Sequence, residues 1–349
     1  MRLRTAAVVI VGVSCLGVAG VPAQAPHDHD HASGESLGRV HFPTTCSPAV
    51  QPAFDRAVAL LHSFGYENAR QAFAAVSSQD PACGMAHWGV AMTYYHPLWA
   101  PPTPAEFESG GKAAEDAGRA GAKSAREQGY ISAVRSFFVE QEPRPHGARA
   151  AAFRASMEKL VTDFPDDDEA RVFLALALLG TSPPHDKTFA NQKRAAELVR
   201  PIIDRNPEHP GVLHYTIHAF DVPELASLAL PAARAYAKVA PSSPHALHMP
   251  SHIFTRLGLW PECIESNLAS AAAGRQHAAR TKPGATSSDA LHALDYLEYA
   301  YLQRGEDEKA RKVLEEVAAT SRFDEPSIGA VYSSASTMRQ ACAMSRSSQ

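Results

Sequence analysis

From Pro48 onward the chain is written in long Ala- and Leu-rich helical periods that come in pairs, each pair stopped by proline or glycine. Phe54, Val58 and Leu61 share one face of a first helix, Gly65 breaks it, and Ala69, Phe73 and Val76 line the next until Asp80-Pro81. The pattern returns. Ala151 to Val161 stops at Phe164-Pro165 before a helix from Ala170 to Leu179, and Ala195 to Ile203 stops at Asn206-Pro207 before a helix that carries His214. A helix from Pro231 to Val239 ends at Pro241 and Pro244, and in a last pair Leu294, Leu297 and Tyr301 face Ala310, Val313 and Leu314 across Gly305. No alternating strand pattern competes with these periods, so the fold class is all-α. Two stretches interrupt it: the proline-rich Tyr95 to Glu108 and Thr181 to Thr188 are expected to be loops.

Gly65-Tyr66, Ala69, Phe73 and Asp80-Pro81, then Ala195 with Asn206-Pro207, then Tyr301, Leu302, Gly305, Ala310 and Leu314 make the chain resemble the tetratricopeptide (TPR) repeat family. The resemblance spans most of residues 50 to 325, with pair lengths above the family's usual 34 or so residues. It implies antiparallel helix pairs stacked in a right-handed superhelix, and by default a scaffold that binds a peptide or partner protein in a concave groove.

Outside the helical region, residues 1–25 carry Arg2 and Arg4, the apolar run Ala6 to Gly20 and then Ala23-Gln24-Ala25, which read as a secretory signal peptide cut after Ala23 or Ala25. Residues 26–47 form a leader in which His27, His29 and His31 alternate with Asp28 and Asp30, expected to be flexible. The repeat domain takes 48–325, and 326–349 is a tail. No later stretch has the roughly 18 apolar residues of a membrane span, so an extracytoplasmic, non-spanning protein is expected. In an oxidising compartment the four later cysteines can pair; Cys46 with Cys83 is the favoured choice, and Cys263 with Cys342 would anchor the tail. A formal charge of -4 without a long basic run argues against nucleic acid as a partner.

Seventeen histidines are the main functional signal. His214 and His218 lie four apart, with Asp221 three further on; His248 and His252 also lie four apart, with His245 three before them. Four residues are nearly one helical turn, so both imidazoles of such a pair project from one face and can reach one metal ion. The two pairs are about 34 residues apart, one repeat length, so stacked hairpins would set them side by side. His292 follows roughly 40 residues later with Asp295 beside it and joins the candidate set. The expected site therefore consists of His214, His218, His245, His248, His252 and His292, with Asp221 and Asp295, around a transition metal ion: Zn, Cu or Fe. Its role in chemistry, carriage or sensing is open, and so is whether the protein is an enzyme.

Three competing readings bear on this set. A polar network of His, Tyr and Asp could satisfy the rings without metal. If Ser251 caps a helix that starts after Pro250, His248 falls outside it and the second pair is weakened. His62, His146, His209 and His277 read as ordinary packed histidines, whereas His87 and His96 stand among Trp88, Tyr94, Tyr95 and Trp99. Established catalytic signatures are missing: His-Glu-x-x-His, Gly-x-Ser-x-Gly, a phosphate-binding glycine loop, a dinucleotide fingerprint and Cys-x-x-Cys-His. Asp166-Asp167-Asp168 reads as the charged start of the next helix.

Overall fold

The computed structural model describes residues 34–139 and 144–324. The segment 1–25 read as a signal peptide, His27, His29, His31, the tail 326–349 and Cys342 lie outside the described residues.

Helices dominate because each start and stop is chemically marked. The first is α1 (Gln51–His62), preceded by a short 3-10 turn at Pro48–Val50. It is followed by α2 (Tyr66–Gln79), α3 (Gly84–Met92), α4 (Pro104–Ala120), α5 (Ala125–Phe138), α6 (His146–Asp163), α7 (Asp168–Gly180) and α8 (Ala190–Arg205). The second half holds α9 (Pro210–Phe220), α10 (Ala226–Val239), α11 (Pro244–His248), α12 (Pro250–Leu257), α13 (Trp260–Thr281), α14 (Ser288–Gln303) and α15 (Asp307–Ala318). Thr103 and Glu106 close a reciprocal capping box on α4, and Asp167 accepts from the Ala170 amide at the start of α7, as the acidic run predicts. Short connections make neighbours in sequence neighbours in space, so each helix packs on the next as hairpins. The all-α pairing of helices expected from the sequence is the architecture found; among the described residues no strand forms, only an isolated bridge between Thr286 and Phe323.

Three details differ from the expectation. Proline at the first helical position needs no partner for its missing N–H, so Pro104 begins α4 and the expected loop ends before Glu108. Pro231 does not start its helix: α10 begins at Ala226 and runs through it. Of the leader set at 26–47, the segment from Glu35 lies packed on the helices, with Leu37 and Phe42 buried and the Phe42 amide bonded to Asp55 at 3.1 Å.

The first core gathers Phe42, Phe54, Trp88, Tyr130 and Phe173 in mostly edge-to-face contacts, with ring centroids 4.8 to 6.5 Å apart. Cys46 and Cys83 are joined by a disulfide that ties this packed segment to the start of α3. A second core fills α9 to α14 around Tyr236, Met249 and Ile253, and a third lies between α13, α14 and α15. Cys263 is buried in the second, its Sγ 3.3 Å from the Thr255 hydroxyl.

Candidate metal centre

Three successive hairpins contribute imidazoles through their leading helices. His214 and His218 come from α9, His245 and His248 from α11, His252 from α12, and His292 from α14. The concern over Ser251 is resolved against the capping reading: Ser243 caps α11, and Met249 keeps right-handed helical dihedrals (φ −52°, ψ −35°) between α11 and α12. The backbone thus stays helical through Pro250. His248 and His252 remain one turn apart on one face, their Nε2 atoms 3.0 Å apart.

The six rings form two groups, and within each group one donor nitrogen per ring lies within 4.8 Å of the others. In the first, His214 Nε2 lies 3.0 Å from His218 Nε2 and 3.1 Å from His245 Nε2. The second contains His248, His252 and His292. For metal–nitrogen bonds of about 2.0–2.1 Å, separations of this size correspond to a ligand–metal–ligand angle of about 95°. The nitrogens are spaced as ligands of an ion are spaced.

Partners outside the cluster fix which nitrogen of a ring carries its proton. His214 Nδ1 donates to the His62 carbonyl at 2.6 Å, since a carbonyl can only accept. His248 Nδ1 donates to Asn267 Oδ1 at 2.7 Å; the Asn267 amide is oriented by its own donation to the Cys263 carbonyl at 2.8 Å. His252 Nδ1 donates to Asp221 Oδ2 at 2.8 Å, with the Tyr296 hydroxyl 3.2 Å away. In the neutral form of these three rings, Nε2 carries a bare lone pair directed into the cluster.

Burial disfavours the charged form of four of these imidazoles. It pushes His214, His245 and His248 well below the ordinary histidine range, helped by the neighbouring rings, and holds His218 at about 3 with His252 adding to the effect. Burial would raise Asp221, but the bond from His252 and the adjacent Arg256 outweigh it and bring the carboxyl to about 2. Its second oxygen takes the Arg256 guanidinium at 2.8 Å. Both carboxylate oxygens are therefore engaged, and Asp221 holds the His252 ring in orientation. Asp295 is buried on α14 three residues after His292; neither it nor Asp221 is among the grouped donors.

Phe64, one residue before Gly65, has φ 54° and presses its ring against the first group, 4.4 Å from His214 and stacked on His218 and His245 at 5.7 and 5.4 Å. A left-handed backbone at an aromatic residue carries strain that surrounding packing must hold. Phe64 also lines a cavity of about 310 Å³ with Tyr66, Trp99, His277, Lys282 and His292. The cavity thus borders the cluster at His292.

Sequence reasoning placed His62 and His209 among ordinary packed histidines, and they are buried, but they share one carboxylate. His62 Nε2 and His209 Nε2 each lie 2.9 Å from Glu169, on α7. His209 Nδ1 accepts the Val212 amide, and His62 Nδ1 faces the Tyr215 hydroxyl at 3.0 Å. Every ring nitrogen is used, so the network is complete without an ion. His96 donates to the Thr93 carbonyl at 2.9 Å and stays outside the cluster. The network fixes α1 against α9, where Gly211 leaves room: a Cβ there would lie 2.7 Å from the His62 ring. Gly211→Ala is expected to destabilise the protein by roughly 1–3 kcal/mol through overpacking. Denaturant unfolding measures this, and an unchanged midpoint would contradict the close approach.

No protein-family model matches the chain, and no curated protein matches it. A search of solved structures finds the C-terminal part of a TPR repeat-containing protein from Cytophaga hutchinsonii, at 12% identity and a TM-score of 0.40, over 77% of this chain and 95% of that one. A likeness that distant carries no weight for function, which therefore rests on the geometry above.

Proposed function

We propose that this is an extracytoplasmic helical-repeat protein that holds transition metal in a buried six-imidazole centre open to small ligands. The observation that carries it is the pair His248 and His252. Each spends an Nδ1 proton on an acceptor outside the cluster, so in the neutral form of both rings two lone pairs face each other 3.0 Å apart. Two lone pairs at that distance repel unless a cation stands between them, and a metal ion satisfies three such donors at once. The outer partners support the same reading, because a histidine ligand characteristically gives its other N–H to a carboxylate, carbonyl or amide. Imidazole donors suit Zn, Cu or Fe. Three protein ligands to an ion leave a coordination position free, and the cavity at His292 gives that position a route to solvent, which favours chemistry on a bound small molecule over a purely structural ion. The leader sequence and the Cys46–Cys83 disulfide support the compartment.

The rival function, a metal-free scaffold that takes a peptide or partner protein in its groove, has the helix pairing on its side. Metal analysis of untagged protein separates the two. Stoichiometric Zn, Cu or Fe is expected in the wild type, and its loss is expected in His214→Ala/His218→Ala with the helical circular dichroism retained. Metal-free wild type that remains empty after incubation with each ion would sink the proposal.

A further inference from the structure

The geometry points to two metal ions side by side, each held by three histidines: one by His214, His218 and His245, the other by His248, His252 and His292. This rests on the metal-binding reading above and adds its nuclearity. One ion bound by all six imidazoles would require every donor to lie within about 4.2 Å of every other, twice a metal–nitrogen bond. The donors instead gather as two separate threes, with Nε2–Nε2 separations of 3.0 and 3.1 Å inside the first and 3.0 Å between His248 and His252 inside the second. Ring centroids within the groups are 4.0 to 4.9 Å apart in four pairs and 5.9 Å apart at His252–His292. Between groups the facing rings, His218 with His252 and His245 with His248, are 6.1 and 6.2 Å apart. The groups meet along an edge while keeping separate centres.

The fold explains the division. The first group is built from α9 and the start of α11, the second from the end of α11, α12 and α14, so adjacent hairpins each complete one site. Neither group contains a carboxylate donor, and Asp221 is bonded to His252. Two divalent ions in adjacent buried sites would repel, and the cavity lined by His292 would admit a small anion to offset that charge.

Cu(II) is the probe. Metal-stripped full-length protein is titrated with Cu(II) and followed by metal analysis and electron paramagnetic resonance. Two ions per chain are expected at saturation, with a spin-coupled spectrum or a silent one in place of a simple mononuclear signal. His218→Ala and His292→Ala alter half-buried residues on different helices, and circular dichroism checks that each folds. Each variant is expected to bind one ion and to gain a mononuclear spectrum. Saturation of the wild type at one uncoupled ion would overturn the pair and leave the metal-binding reading standing. Failure to bind any Cu(II), Zn(II) or Fe(II) would remove both.

Discussion

Metal-free protein is expected to unfold on mild acidification, in a transition that starts near pH 6 and is complete well above the carboxylate range. His214, His218, His245 and His248 are pushed down by burial and by one another, His218 to about 3, whereas in the unfolded chain each titrates near 6.5. Below 6.5 the unfolded chain therefore binds more protons than the folded one, and stability falls as the pH falls. Each group withdraws about 1.4 kcal/mol per pH unit, so the four together remove roughly 5 kcal/mol by pH 5.5, comparable with the whole stability of many domains. Glu169 acts in a lower window. Burial opposes its charge, but His209 and His62 outweigh this and depress its pKa, so its contribution is intact above the unfolded glutamate value and lost only as the pH drops below about 4.5. Bound metal competes with protons for the same nitrogens, and loaded protein should therefore keep its fold to lower pH than stripped protein. Circular dichroism against pH for both forms measures the difference. Coincident curves with a midpoint near pH 4 would show that the imidazoles are not the acid-sensitive element.

Much of the centre could be read from spacing, because one helical turn and one repeat length are both periodicities of the chain. His214 with His218 and His248 with His252 announce a shared face, and the interval between the pairs announces adjacent hairpins. The continuity of α11 with α12 was harder to see: Pro250 looks like a stop, yet it occupies a first helical position after a residue that already has helical dihedrals. The partners that set the tautomers were out of reach. His62 is far in sequence from both the His214 it receives a proton from and the Glu169 it donates to, and no local pattern ties α1 to α7 and α9. The left-handed backbone at Phe64 is equally invisible, since Gly65 next to it is the residue that sequence preferences would choose for that conformation. The nuclearity also depends on such detail, because whether six imidazoles surround one point or two is decided by the packing of α9, α11, α12 and α14.

Glu169→Ala is expected to cost roughly 3–5 kcal/mol, because it leaves two buried imidazole N–H groups without an acceptor and opens a cavity between α7, α1 and α9. Glu169→Gln should recover only part of that loss. One amide oxygen can serve one ring, but the amide NH2 then faces the N–H of the other. His209 cannot exchange tautomers at no cost, since its Nδ1 accepts the Val212 amide; His62 cannot do so simply either, unless the Tyr215 hydroxyl turns to accept. Chemical denaturation should therefore rank wild type above Gln and Gln above Ala. The same substitutions are expected to act on the proposed metal centre through a single atom. His62 holds the His214 ring by its backbone carbonyl at 2.6 Å, so loosening the His62 side chain loosens the orientation of a ligand whose own partners are unchanged. Loss of such an outer partner characteristically weakens metal binding about 10- to 100-fold. If Glu169→Gln binds metal as tightly as wild type while losing stability, the network serves packing alone; a parallel loss of affinity shows that α7, outside the cluster, helps to aim it.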